Sequence, residues 1–384
     1  MKFDFDKIVD RKHTNSLKWD VNPGELPLWV ADMDFETAPC IKEAIEKRAE
    51  NGIFGYSIVP DEWKISCMNW WKRRHGLEIL PECIIFCTGI VPAISSLVRK
   101  LTTPAEKVLL LTPCYNIFFN SIINNGRIPV ECPLDYDGTE YSINFERLEK
   151  ELSDPQVSMM ILCNPQNPTG NIWTKHELAK IGGLCKKYGV IVLSDEIHCD
   201  ITRPGKKYEP FAGASETCAE ISVSCVSPTK CFNIAGINSS AVIAKNPFLR
   251  HKVWRALNTD EIAEPNAFAI DATIAAFNHG EEWLDELNKY LFRNREYAEK
   301  RIDSMKKGFS VIKSDATYLM WVDLHQNGDD FAKELRDKTG LYINGGSEYG
   351  KCGKNFVRIN LACPKKILED AMNRLEKFTE NKNL

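Results

Sequence analysis

Three short runs carry residue types that can do chemistry together. The first, Ser227-Pro228-Thr229-Lys230-Cys231-Phe232-Asn233, sets a lysine behind a small hydroxyl cluster and ahead of Phe-Asn-Ile-Ala-Gly. A lysine in a loop is ordinarily solvated. One enclosed in this way has a lowered pKa and becomes an amine able to form a Schiff base with a carbonyl. The second, Ser194-Asp195-Glu196-Ile197-His198-Cys199-Asp200, places carboxylates directly after an apolar run, where they either cap a helix or face a ligand. The third, Asn164-Pro165-Gln166-Asn167-Pro168-Thr169-Gly170, follows another apolar run. Taken alone it is a loop, since Asn, Pro and Gly make turns on their own account.

The elements that must position these runs are legible as a pattern. Val108–Thr112, Val157–Cys163, Val190–Ser194, Ile221–Val226 and Ser240–Ala244 are near-continuous apolar stretches, which suits strands covered on both faces. Trp173–Tyr188 reads as an amphipathic helix with Thr174 as its N-cap and Glu177 three residues on. Strand–helix–strand repeats predict an α/β fold with a mostly parallel sheet. All three runs then lie at carboxyl ends of strands, the edge at which such sheets bind ligands. Beyond residue 280 the character changes. A long charged helix (281–306), strands at 317–323 and 356–360, and helices at 329–339 and 365–378 predict a smaller α+β domain. The expected organisation is an N-terminal arm (1–45) wrapping onto that small domain, a large domain (46–279) and the small domain itself (280–384).

Bulk properties exclude other classes. Lys plus Arg total 49 and Asp plus Glu 53, a net charge of −4, which gives no reason to invoke nucleic acid or an anionic membrane. The N-terminus lacks the apolar core of a signal peptide, and the apolar runs are too short to span a bilayer. Fourteen scattered cysteines include no Cys-x-x-Cys, and His198-Cys199 lacks ligand-spaced partners, so no metal is expected. Buried free thiols in a reducing cytoplasm fit better.

The three runs, in this order and at strand ends, resemble the fold-type I enzymes of pyridoxal 5′-phosphate (PLP), the aspartate aminotransferase superfamily, over nearly the whole chain. The resemblance implies PLP held as a Schiff base on Lys230. It implies Asp195 on the pyridine nitrogen, Asn167 on the phenolic oxygen, and Tyr115 stacked on the ring. His198 either reaches the same phenolic oxygen or packs. The phosphate is expected on the backbone amides of Ile90 and Val91, at a helix start, with Ser227 adding a hydroxyl. Arg358 matches the clamp for the substrate α-carboxylate, a bidentate contact that arginine makes well.

Leu28–Phe35, Phe54-Gly55-Tyr56-Ser57, Asp195-Glu196-Ile197-His198 and Phe356–Asn360 are more specifically similar to the MalY/PatB-type cystathionine β-lyases. That branch implies Ala31 beside the substrate and Tyr56 reaching the neighbouring subunit's phosphate in a homodimer. Asn238 stands where many aminotransferases place a phosphate-binding arginine. Gly345, where relatives commonly have proline, and Cys231, next to the lysine, are departures that bear on the substrate. The implied activity is cleavage of cystathionine or another S-substituted cysteine to a thiol, pyruvate and ammonia. An aminotransferase with a second keto-acid substrate is the rival reading. A PLP-holding regulatory protein is a third, although no DNA-binding helix or appended module is visible.

Overall fold

The computed structural model describes residues 2–381. Seven strands form the larger sheet: β1 (Ile84–Cys87), β2 (Lys107–Thr112), β3 (Ile128–Pro133), β4 (Val157–Cys163), β5 (Ile191–Asp195), β6 (Ser222–Val226) and β7 (Ser240–Ile243). Their order is β1-β7-β6-β5-β4-β2-β3. The pairs from β6 across to β3 are parallel, while β7 runs antiparallel to both β6 and β1. The apolar runs feed two cores because successive strand side chains point to opposite faces. Leu109, Leu111, Met160, Leu162 and Val192 pack on one face. Leu110, Met159, Ile161, Leu193 and Val223 pack on the other. Each such side chain stabilises the fold by roughly 1.5–3 kcal/mol on burial.

Strands β1 and β3 and the helix Asp61–His75 carry weak sequence patterns. β3 contains Pro129, Glu131 and Pro133 and lies at the sheet edge, where proline's missing N–H breaks no ladder. The helix Lys175–Tyr188 starts as the sequence predicts at its cap. Thr174 Oγ1 accepts from Glu177 N–H at 3.2 Å, and Glu177 Oε2 accepts from Thr174 N–H at 2.8 Å. Trp173 lies outside the helix; its buried indole donates to Cys163 O at 3.2 Å and braces the loop after β4.

A second, antiparallel sheet is built from β8 (Ser310–Val311), β9 (Leu319–Asp323), β10 (Asn344–Gly345) and β11 (Phe356–Asn360), ordered β8-β9-β11-β10. Its core gathers Met320, Val322, Val357 and Ile359 with Ala298 and Ile302 from the helix Glu281–Ser304. Phe331, Leu335, Leu368 and Met372 from the two later helices complete it. Gly345 fits here for a steric reason: a Cβ at this position would lie 2.1 Å from Asp329 Oδ1 and 2.8 Å from Asp329 Cα.

The N-terminal arm joins this second sheet's core. Leu26 and Pro27 pair in parallel with Leu341 and Tyr342, and Asn360 N–H donates to Leu28 O at 2.9 Å. Two features depart from an irregular arm lying on the small domain alone. The helix Pro39–Glu50 begins within the first 45 residues and runs across the expected boundary. The arm also reaches the lysine loop, where Asn233 accepts from Met33 N–H at 3.0 Å and donates to Met33 O at 3.0 Å and Phe35 O at 2.7 Å. All fourteen cysteines are free thiols, and twelve of them are buried. Among the described residues, no helix is long and apolar enough to cross a membrane.

Candidate active site

The carboxyl ends of the parallel strands open onto a cavity of about 220 Å³. Its wall includes Ile90, Val91, Tyr115, Asn167, Asp195, His198 and Lys230, and Ala31 closes it from the arm. Each side chain arrives from a strand end. Asp195 is the last residue of β5, Asn167 follows β4, and Lys230 lies four residues beyond β6. The loop carrying Asn167 turns back at Gly170, whose φ of +73° belongs to the left-handed region. A Cβ there would lie 1.8 Å from Ser314 Oγ and 2.6 Å from Ala316 O, so the loop packs directly against the chain entering β9.

The electrostatics of the cavity are set by burial. Burial pulls the Lys230 ammonium down to about 8, with Arg358 pushing the same way and Asp32 and Asp195 opposing. Lys230 Nζ donates to Ala31 O, which also accepts from the Tyr318 hydroxyl at 2.9 Å. Burial raises Asp195 to about 7 against a single amide donor, Ile197 N–H at 3.1 Å. A carboxyl so poorly solvated is completed by a cationic ring nitrogen, which would draw it back to the ionised form. Burial, with the charges of Lys230 and Arg358, lowers His198 to about 3, and its Nδ1 has no hydrogen-bond partner. His198 is therefore a neutral imidazole at any working pH.

The helix Ile90–Leu101 points its first turn at this cavity. Its first bond to the residue before it is Ala93 N–H to Gly89 O, and Pro92 has no N–H. The amides of Ile90 and Val91 have no acceptor within the helix and are candidate anion donors. Ser227 is a different case. It is buried outside the cavity wall; its hydroxyl donates to Ser239 O at 2.8 Å and sits 2.7 Å from Thr229 Oγ1. Besides Tyr115, the hydroxyl-bearing residues on the wall are Thr88, Thr229 and Ser240, and Asn238 adds an amide. The spacing from Lys230 could not rank Ser227 against Thr229, because two residues of backbone decide which hydroxyl turns outward. Asn238, whose φ is +53°, takes the place where an arginine was absent.

Arg358 projects from β11 and is buried. Nη1 donates to Asn167 Oδ1 at 3.3 Å, and Nη2 donates to Trp29 O at 2.9 Å and Asn344 Oδ1 at 3.3 Å. Its Nε is buried without a partner, and among the described residues no carboxylate pairs with it. A buried guanidinium without an anion is costly unless a ligand supplies one. Tyr56 stands apart: it is fully exposed, beside Ile53 and Gly55 in another hollow. Cys231 also turns away from the cavity; its thiol donates to Pro228 O at 3.4 Å in the core.

Two clusters were not legible in the sequence. Asn360 Nδ2 donates to Val30 O and Asp32 O, both at 2.6 Å, so Arg358, Asn360 and Asn233 clamp the arm over the lysine. His75, Cys199 and Asp200 also converge. There, Asp200 pairs with His75 Nε2 at 3.1 Å and accepts from Trp70 Nε1 at 3.0 Å, while burial and Asp200 push the Cys199 thiol far up. A protonated thiol is a poor metal ligand, and the group is a hydrogen-bonded brace behind the site.

An α/β enzyme whose main sheet ends in Lys230, Asp195 and Asn167 around the start of the helix Ile90–Leu101 has the layout of a fold-type I PLP protein. The chain belongs to the family described as aminotransferase class I and II, whose model matches residues 24–375. It is 39% identical to cystathionine beta-lyase PatB of Bacillus subtilis over 97% of this chain and 98% of that one. Among solved structures it is similar to cystalysin from Treponema denticola, which contains a pyridoxal 5′-phosphate cofactor. That match has a TM-score of 0.95 at 31% identity, covering 99% of this chain and 100% of that one. The PLP-bound C–S lyase from Staphylococcus hominis matches with a TM-score of 0.92 at 32% identity, covering 98% and 97%.

Proposed function

We infer that the chain is a PLP-dependent carbon–sulfur β-lyase, splitting an S-substituted L-cysteine such as cystathionine into a thiol, pyruvate and ammonia. The observation that carries the reading is a cavity walled by a lysine lowered to about 8 and a buried carboxyl raised to about 7, with a buried arginine lacking an anion bonded to Asn167 of the same wall. The names of the similar proteins, cystathionine beta-lyase and C–S lyase, support the same chemistry.

PLP, when bound, supplies the electron sink for the pair left behind as the α-proton departs. Lys230 would anchor it, and the Lys230 amine at Nζ would take that α-proton from the substrate. Asp195 keeps a proton on the ring nitrogen. The amides of Ile90 and Val91, with Thr229, Asn238 and Ser240, hold the phosphate; Asn167 holds the phenolic oxygen, with neutral His198 beside it. Tyr115 covers the ring. Arg358 grips the α-carboxylate and Ala31 closes over the substrate, orienting the Cβ–S bond to break and expel a thiolate, a stable leaving anion.

The same proposal includes a homodimer. Ile53, Phe54, Tyr56 and Ile58 are exposed along one segment, as an apolar contact surface would be, and the full exposure of Tyr56 supports a role in a partner's site. It includes a cytoplasmic location, which suits twelve buried free thiols. It also keeps a three-part division; the break at 279/280 falls between the helices Ala269–His279 and Glu281–Ser304, while the one expected at 45/46 moves ahead of the helix Pro39–Glu50 that crosses it.

The test is product analysis. With an S-substituted cysteine and no keto acid, pyruvate and ammonia should form over many turnovers. Product limited to one equivalent per site, with turnover resuming on 2-oxoglutarate, would make the chain an aminotransferase.

A further inference from the structure

One carboxylate beside the site has no task in this chemistry. Glu348 is exposed on the turn Ser347–Tyr349. That turn is fastened to the large sheet's side of the site, because Cys114 N–H donates to Tyr349 O at 2.9 Å. Asn116 Nδ2 donates to Glu348 Oε2 at 3.1 Å, and the Tyr349 hydroxyl also bonds the carboxylate. The Tyr349 ring lies beneath the Arg358 guanidinium, 4.8 Å from its centroid. On the other side Glu348 is close enough to Tyr115 to help burial raise that phenol, with Arg358 opposing. Among the described residues no lysine or arginine neutralises Glu348. The result is a carboxylate held by two hydrogen bonds near Tyr115 and the Tyr349 ring that carries Arg358.

We propose that Glu348, held by Asn116 and Tyr349, is a specificity residue that favours S-substituted cysteines whose thiol half ends in a cation and disfavours those ending in an anion. The proposal rests on the lyase reading above. A substrate with its carboxylate on Arg358 sits beside the Tyr349 ring, whose hydroxyl bonds Glu348, so a sulfur substituent directed along Tyr115 approaches that carboxylate. The carboxylate is solvated, so its effect is modest: an exposed charge pair changes affinity by roughly two- to fivefold.

The experiment compares kcat/KM for pyruvate release by the holoenzyme from S-(2-aminoethyl)-L-cysteine, S-propyl-L-cysteine and S-carboxymethyl-L-cysteine, which are cationic, neutral and anionic at the far end. Preference should run in that order and weaken at high salt. Glu348→Gln should shrink the cation-to-neutral ratio by roughly two- to fivefold, and Glu348→Lys should put the anion ahead of the cation. Ratios unmoved in both variants, or an equal fall on all three substrates, would overturn the proposal while leaving the lyase reading standing. No pyruvate from any of the three with the parent enzyme would overturn both.

Discussion

Arg358 Nη1 and Asn167 Oδ1 meet at 3.3 Å, joining a strand of the second sheet to the loop after β4 of the first. In the proposed assignment this bond joins the carboxylate clamp to the residue at the cofactor's phenolic oxygen, so a group held by one would be positioned against the other. Arg358→Lys keeps the charge but loses the forked donor. A charge-assisted hydrogen bond is worth about 1.5–3 kcal/mol, so kcat/KM should fall by roughly 10- to 100-fold, mainly through KM. Steady-state kinetics with an unchanged KM would remove Arg358 from carboxylate binding.

Lys230 at about 8 carries its neutral form into the physiological range. Covalent capture of PLP by the cofactor-free protein needs that neutral amine. The capture rate at saturating cofactor should therefore rise with pH through about 8 and level off above it. An ordinary lysine near 10.5 would keep rising through that window, with about 300-fold less neutral amine near pH 7. Stopped-flow absorbance across pH 6–10 reads the difference. In Lys230→Ala, borohydride should fix no cofactor on the chain, and turnover should fall by at least the roughly 10²–10⁴-fold of general-base help.

Asp195 is uncharged over much of the acid range in the cofactor-free protein, because burial has raised it to about 7. The sign for stability follows. A carboxyl raised in the fold above its unfolded value contributes stability at low pH, and this is lost as pH climbs from about 4 toward 7. Asp195→Asn should remove that part of the pH dependence in thermal melts of the cofactor-free protein. In the holoenzyme, breaking a buried charge pair costs about 3–5 kcal/mol, so activity should drop by at least a hundredfold while cofactor still binds through its phosphate. Activity within a few-fold of the parent would end this role.

Tyr56 is fully exposed in the single chain and lies away from the cavity. If it serves a partner's site, mixing inactive Tyr56→Phe with inactive Lys230→Ala subunits should restore activity in hybrid dimers, which hold one site with both residues intact. Hybrids demonstrated by mass spectrometry yet without recovery would return Tyr56 to a structural role.

What the linear chain determined is what short-range chemistry and periodicity control. Five apolar runs specified doubly covered strands, Thr174 and Glu177 specified a helix start, and Lys230, Asp195 and Asn167 fell at strand ends because loops after parallel strands must open on one edge. Tertiary structure decided what depends on residues far apart in sequence. The antiparallel direction of β7 rests on pairings with β1 and β6, and strand direction leaves no mark on composition. Thr229 rather than Ser227 lines the cavity because Ser227 is held by Ser239 O, ten residues past Thr229. The arm covers Lys230 because Asn233 and Asn360 bind backbone groups some 200 and 330 residues away. A backbone carbonyl such as Ala31 O is the same in every residue, so only the folded chain reveals which carbonyl meets the lysine.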